Sequence, residues 1–420
     1  MTLPLSDPLA VTPPVMQPPV MPAPVMQPPV MQPAAPVSAA VPPPVAPPAA
    51  SRVGVAEAAA HDLDLDEALR VLVARGGSDL HLSAGAPPMM RVHGRMLALP
   101  GMSALTATEI QACVYAIITE RQKQRFEEAR ELDFAYALRG AARFRVNLMW
   151  QQGAVGAVFR AIPWEITPLE SLGMPEVVGT FADLPRGLVL VTGPTGSGKS
   201  TTLASIIDRA NGNREGHIVT IEDPIEFVHR HRSCVVNQRE VGLDTLSFQD
   251  ALKHALRQDP DIILVGELRD LETIAIALTA AETGHLVLAT LHTSSAPSTI
   301  DRVIDVFPAG QQAQIRAQLA GSLAGIVCQA LCRTADGQGR VAATEVLVAT
   351  PAVRNLIREG KLPSLPSALQ TGSRFGMHTL NQSLAGLVSE GRITYETARE
   401  HCSDAAELHQ LLGMAPDATG

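Results

Sequence analysis

Aromatic residues make up only 3% of this 420-residue chain. Bases of single-stranded nucleic acid stack on aromatic side chains, so a stacking platform would have little to build on. Positive charge is also in deficit, with 33 Lys and Arg against 42 Asp and Glu, a net charge of −9 and a pI near 5.7. A nucleic-acid partner usually needs a basic face, and this balance argues against one. No run of about 18 uncharged apolar residues occurs, so no membrane-spanning helix is expected. The start of the chain has no basic cluster followed by an apolar core, so it does not read as a signal peptide. Cysteines number five, at Cys113, Cys234, Cys328, Cys332 and Cys402, with no C-x-x-C pair. That scattered set fits a reducing cytoplasm. Cys328 and Cys332 fall in a stretch that reads as helix, where they would share a face. With no second Cys/His pair nearby, buried thiols are expected there in preference to zinc.

Proline, by contrast, is abundant, with 33 residues concentrated at the start of the chain. There Val15-Met16, Val20-Met21, Val25-Met26 and Val30-Met31 recur at a regular interval. Proline at this density removes amide donors and favours polyproline II. Residues 1–60 are therefore expected to form a disordered, semi-extended tail, read as a tolerated extension in preference to a docking arm. Residues 61–163 read as an α+β domain. Its expected helices lie at 63–74, 107–118 and 120–130, and its strands at 78–83, 90–96, 143–148 and 154–162. Residues 164–185 read as a linker with a short helix. From 186 to 350, buried strands at 188–192, 218–222, 262–265 and 286–290 alternate with helices. That pattern implies a mostly parallel sheet covered on both faces. Residues 351–420 read as helical.

One loop defines the chemistry. Gly193-Pro194-Thr195-Gly196-Ser197-Gly198-Lys199-Ser200-Thr201 follows the first of these strands and opens a helix. This is the phosphate-binding pattern G-x-x-x-x-G-K-[ST] in its required strand–loop–helix setting. Glycines let backbone N–H groups wrap a phosphate chain, and the helix N-terminus adds partial positive charge. Lys199 can reach the β- and γ-phosphates, and the Ser200 hydroxyl can hold Mg²⁺. The chain is expected to bind a nucleoside triphosphate.

Two acidic elements complete the pattern. Asp261-Ile262-Ile263-Leu264-Val265-Gly266-Glu267 is an apolar strand ending in a carboxylate, with Gly266 where many ATPases carry aspartate. Glu267 is the expected acid, acting on Mg²⁺ through water. A second strand end carries Glu222, Asp223 and Glu226. Clustered carboxylates are costly unless a cation or solvent offsets them, and a Mg²⁺-nucleotide supplies that cation. An ordinary acidic turn fits the spacing equally well. His285 and His292 bracket one strand, too far apart for a shared metal. They read as neutral hydrogen-bonding groups, or more sharply as sensors of the γ-phosphate or of a subunit interface.

These segments together resemble the Asp box, Walker B and His box of the secretion-type hexameric ATPases. Thr283-Gly284-His285 and Thr290-Leu291-His292-Thr293 carry the His-box likeness. Within that superfamily the chain is similar to the PilT-type retraction ATPases of type IV pili. The likeness rests on Ser78-Asp79-Leu80-His81-Leu82, Val236-Asn237-Gln238-Arg239-Glu240-Val241, 259–267, 301–308 and Ala352-Val353-Arg354-Asn355-Leu356-Ile357. Val353 stands where the family usually has isoleucine. Gln370-Thr371-Gly372 continues the match, which covers about 61–412.

The resemblance implies a RecA-like P-loop core at 186–350 and a PAS-like N-terminal domain at 61–163. It implies ATP and Mg²⁺ as ligands and Glu226 as general base. Glu267 would support Mg²⁺, and His285 and His292 would lie near the nucleotide and the subunit boundary. Arginines from the N-terminal domain would reach the bound nucleotide, and Arg143, Arg145 and Arg160 are the candidates, with the choice among them open. The implied assembly is a cytoplasmic homohexamer, peripheral at the inner-membrane base of the pilus. It would act on an inner-membrane platform protein, with a second retraction ATPase as a further candidate partner, to drive pilin disassembly and twitching motility. No nucleic-acid partner is expected. The rivals are an accessory PilU-type retraction ATPase and, further off, an extension or type II secretion ATPase. The 352–357 motif and the missing tetracysteine module favour retraction over extension. That motif and Gln370-Thr371-Gly372 favour the PilT type over the PilU type.

Overall fold

The computed structural model describes residues 63–92, 94–138, 142–162 and 165–414. The expected proline-rich tail lies outside the described residues.

The first part of the described chain runs α1 (Leu65–Ala74), β1 (Gly77–Leu82), β2 (Met89–Val92), β3 (Arg95–Ala98), α2 (Ala107–Tyr115), α3 (Glu120–Ala129), β4 (Glu131–Leu138), β5 (Ala142–Gln151) and β6 (Ala154–Ile162). The strands form a six-stranded sheet in the order β3-β2-β1-β6-β5-β4, antiparallel at every junction. Alternate residues point inward, so Phe144, Val146 and Leu148 of β5 meet Phe159 of β6 and Phe126 of α3 in one core. Thr106 and Thr119 cap α2 and α3 through reciprocal bonds with Glu109 and Gln122. The segment 90–96, read as one strand, is a hairpin in which Val92 pairs with Arg95 and Gly94 takes φ +79°. A two-residue turn at glycine leaves the alternation of flanking residues almost unbroken, which hid it.

The second part runs α4 (Glu176–Thr180), β7 (Gly187–Thr192), α5 (Lys199–Asn213), β8 (Gly216–Glu222), β9 (Cys234–Glu240), α6 (Phe248–Ala255), β10 (Ile262–Val265), α7 (Leu271–Glu282), β11 (Leu286–Leu291), α8 (Ala296–Asp305), α9 (Ala309–Ser322), β12 (Leu323–Arg333) and β13 (Arg340–Val348). The seven-stranded sheet has the order β13-β12-β7-β11-β10-β8-β9. Every junction is parallel except β12–β13. Both faces are covered. Leu188 and Leu190 of β7 pack with Ala277 and Leu278 of α7, while Val189 and Val191 pack with Leu203, Ile206 and Ile207 of α5. Such strands must be apolar on both sides, which is why they stood out in the sequence.

Cys328 and Cys332 lie on β12, not on a helix; both are buried and free. Their run, Leu323–Arg333, is apolar almost throughout and has no period to separate strand from helix. The chain then turns helical, with α10 (Pro351–Arg358), α11 (Leu365–Thr371), α12 (Leu380–Ser389), α13 (Tyr395–His401) and α14 (Ala405–Leu412). Among the described residues no helix is long and apolar enough to cross a membrane.

Candidate active site

The phosphate loop joins β7 to α5. Gly193 takes φ +142°, and a Cβ there would fall 2.3 Å from the Gln329 carbonyl oxygen and 2.6 Å from Ser197 Oγ. Gly196 and Gly198 also sit at positive φ, +80° and +87°. Pro194 and Thr195 are exposed on the loop, and Ser200 and Thr201 open the helix half-buried. Lys199 is only 9% exposed. Its Nζ donates to the carbonyls of Gly193 at 2.9 Å and Pro194 at 3.1 Å. Burial lowers the Lys199 pKa, opposed by the nearby carboxylates Glu267 and Glu226. Ser197 Oγ and Thr202 Oγ1 are buried with no hydrogen-bond partner among the described residues. Buried hydroxyls rarely stay unpaired, so this loop is shaped for groups that accept and donate at those points.

Gln329, which the sequence reading missed, braces the loop. It lies on β12, the neighbour of β7, is 3% exposed, and donates from Nε2 to the Ser197 carbonyl at 2.6 Å. The available signal was a lone amide within an apolar strand.

Strand order then places the other groups in a row. The phosphate loop follows β7, His292 follows β11, Glu267 follows β10 and the acidic turn follows β8, four adjacent parallel strands read at their carboxyl ends. Ligands of open α/β sheets bind at that edge. Gly266 is squeezed here: a Cβ would come 3.2 Å from the Ile221 carbonyl oxygen and 3.3 Å from Glu222 Cα. Glu267 pairs with Arg269 at 2.7 Å and with His292 Nε2 at 3.3 Å. Burial opposes its ionisation, but Arg269 and His292 outweigh that and hold the carboxyl below its ordinary range. Arg269 also feels Asp223, and it too escaped the sequence reading.

In the acidic turn, Glu222 accepts from Thr220 Oγ1 at 2.6 Å, Gln238 Nε2 at 3.2 Å and the Glu226 N–H at 3.3 Å. Burial raises its pKa despite those bonds. Asp223 and Glu226 are exposed.

His285 requires a correction. The resemblance grouped it with His292 near the nucleotide, but it precedes β11 at the amino edge of the sheet, where its carbonyl accepts from Gly187 N–H at 3.0 Å. The six residues of β11 set the two histidines about 20 Å apart. Its Nδ1 lies 3.0 Å from the Ala280 carbonyl oxygen.

The three arginines all lie on the N-terminal sheet. Arg160 is held by Asp79 at 2.8 Å and Arg143 by Glu240 at 2.8 Å. Arg145 is exposed and stands opposite Arg160 in register. The 352–357 motif lies on α10. Val353 and Ile357 are buried, Leu356 is half-buried, and Ala352 and Asn355 are exposed. Arg354 donates to the carbonyls of Ala349, Ala320 and Gly321 at 2.9, 2.7 and 2.6 Å. Beside the phosphate loop opens a cavity of about 970 Å³, bordered by Gly198, Thr201, Gln329, Arg333 and Arg392.

A phosphate loop beside two acidic strand ends on a mixed α/β sheet defines a nucleotide-hydrolysing ATPase. Residues 134–398 match the family described as Type II/IV secretion system protein, and the chain belongs to that family. It is 56% identical over 340 residues to the type IV pilus retractation ATPase PilT of Pseudomonas aeruginosa, spanning 80% of this chain and 98% of that protein. Similarity to the type IV pilus ATPase PilU of the same organism is 43% over 355 residues, 84% of this chain and 93% of that one. Among solved structures, the pilus retraction motor PilT with bound ADP matches with a TM-score of 0.79 at 47% identity. That match covers 83% of this chain and 99% of the other.

Proposed function

We propose that this chain is a Mg²⁺-dependent ATPase motor that drives type IV pilus retraction. The observation that carries the reading is the row of four strand ends, which joins the phosphate loop to Glu267, His292 and the Glu222–Glu226 turn. The loop N–H groups would take the phosphates, and Lys199 would exchange its own loop carbonyls for phosphate oxygens. The unpaired Ser197 and Thr202 hydroxyls fit such a ligand. Ser200 and Glu267 would hold Mg²⁺, the latter through water. The ion, when bound, neutralises charge on the phosphoryl oxygens. Glu226 accepts the proton of the attacking water, and Glu222 fixes the Glu226 amide. The cavity beside the loop has room for a nucleoside.

Residues 61–163 act as a PAS-like domain, 164–185 as its linker, 186–350 as a RecA-like core and 351–420 as a helical extension. Six copies form a ring, cytoplasmic and peripheral at the inner-membrane base of the pilus. There the ring works on a platform protein, and a second retraction ATPase is a candidate companion. The 56% identity to PilT, against 43% to PilU, favours this reading over the PilU type.

The test is Glu226→Gln, observed in cells with labelled pili. Pili that extend but no longer retract are expected, because the binding groups remain while the base is lost. Absent pili would assign the chain to extension. Normal retraction, with normal hydrolysis by the purified variant, would remove Glu226 as the base.

A further inference from the structure

The segment that carries Glu226 is gripped from behind. Glu222 and Glu240 are paired positions on β8 and β9. Their carboxylates take two successive amides, Glu240 Oε2 the N–H of Ile225 at 3.2 Å and Glu222 Oε2 the N–H of Glu226 at 3.3 Å. Ile225 is buried, while the Glu226 side chain is exposed and makes no hydrogen bond among the described residues. The backbone therefore sets where Glu226 stands. Glu240 has a side chain only 4% exposed, and the same Oε2 that holds Ile225 accepts from Arg143 Nη2 at 2.8 Å. A carboxylate this buried needs a partner cation; without one it draws in water or shifts toward it, and its grip on the amide weakens. Arg143 comes from β5, in the other sheet.

We propose that Arg143 is a positioning residue for hydrolysis, fixing the Glu226 turn through Glu240. It thereby makes the placement of the base depend on the placement of the N-terminal sheet. This rests on the reading of Glu226 as the base. Arg143 then reports to the site within its own chain and does not touch the nucleotide. When the N-terminal sheet withdraws from the core, the cation leaves Glu240 and the turn at Ile225 relaxes.

The experiment is a double-mutant cycle on the purified full chain, with kcat and KM for ATP and the affinity for a fluorescent ATP analogue. Arg143→Met and Glu240→Gln should each lower kcat by roughly 10- to 100-fold, the upper figure being the loss for a catalytic group misplaced by about 1 Å. KM and affinity should stay unchanged. The double variant should be no worse than the worse single one, because both remove one interaction. Arg143→Lys, which keeps the charge, should recover much of the activity. Additive losses in an active enzyme would overturn the proposal. So would weaker analogue binding in Arg143→Met with Glu240→Gln unaffected, which would put Arg143 on the nucleotide. Melting curves identify any variant that fails to fold; Arg143→Lys against Glu240→Gln then decides, equal kcat losses in both overturning the charge argument. An unsubstituted chain no more active than Lys199→Ala would instead remove the ATPase reading itself.

Discussion

His229 lies just beyond the acidic turn, its N–H held by Gln238 Oε1 at 2.8 Å and its Nδ1 buried without a partner among the described residues. Burial, and after it the nearby Arg232 charge, push its pKa down from 6.5 to about 4. Between those two values the unfolded chain binds a proton that the folded chain refuses. Stability therefore rises with pH across this window, and the His229 contribution is lost as pH falls from 6.5 to 4. A shift of that size is worth about 3 kcal/mol at most. Glu222 and Glu345, both raised by burial, act with the opposite sign above the ordinary carboxylate range, so the raw pH profile mixes the two. The expectation is thus a difference: His229→Gln should melt with a shallower fall in midpoint between pH 7 and pH 4 than the parent. Parallel profiles would show that His229 is free to protonate in the folded chain.

Arg354 works on the end of a neighbouring helix. The last carbonyls of a helix lack intrahelical partners, and α9 ends at Ser322 beside α10. Arg354 caps the Ala320 and Gly321 carbonyls, where a cation also suits the helix dipole. Arg354→Met should cost about 2 kcal/mol of stability, the range for hydrogen bonds from a charged group, and leave ATP affinity unchanged. A lower melting temperature with normal binding checks it; lost binding with normal melting would place Arg354 at the ligand. The parallel strands β7, β8, β10 and β11 were legible because burial on both faces writes short unbroken apolar runs. β4 was not, since Glu131 and Asp133 on its exposed face suppress the usual strand signature. β12 was lost to the opposite problem, an apolar run with no period, and it took the two cysteines with it.

The row of strand ends could be read because the phosphate loop and the acidic segments are each continuous in sequence. Their supports could not, because those contacts span the chain. Gln329 reaches Ser197 across 132 positions, and Arg143 reaches Glu240 across 97. Neither partner carries a local pattern that announces the other. The division bears on the proline-rich segment. Within residues 1–50, Asp7 is the one ionisable side chain, and the rest is mainly proline, alanine, valine, methionine and glutamine. Asp7 apart, such a composition offers no side chain for proton chemistry, no cation for a phosphate and little that a buried carboxylate or carbonyl would seek. The PilT relative is matched over 98% of its length by 340 of these residues, which leaves it little room for a counterpart. Deleting residues 1–50 should therefore leave kcat and KM for ATP indistinguishable from the full chain. The purified truncation, assayed beside Lys199→Ala as the inactive reference, measures this. A loss toward the Lys199→Ala level would mean that a segment without catalytic side chains still holds the machinery together, through ring assembly or through the supports of the loop.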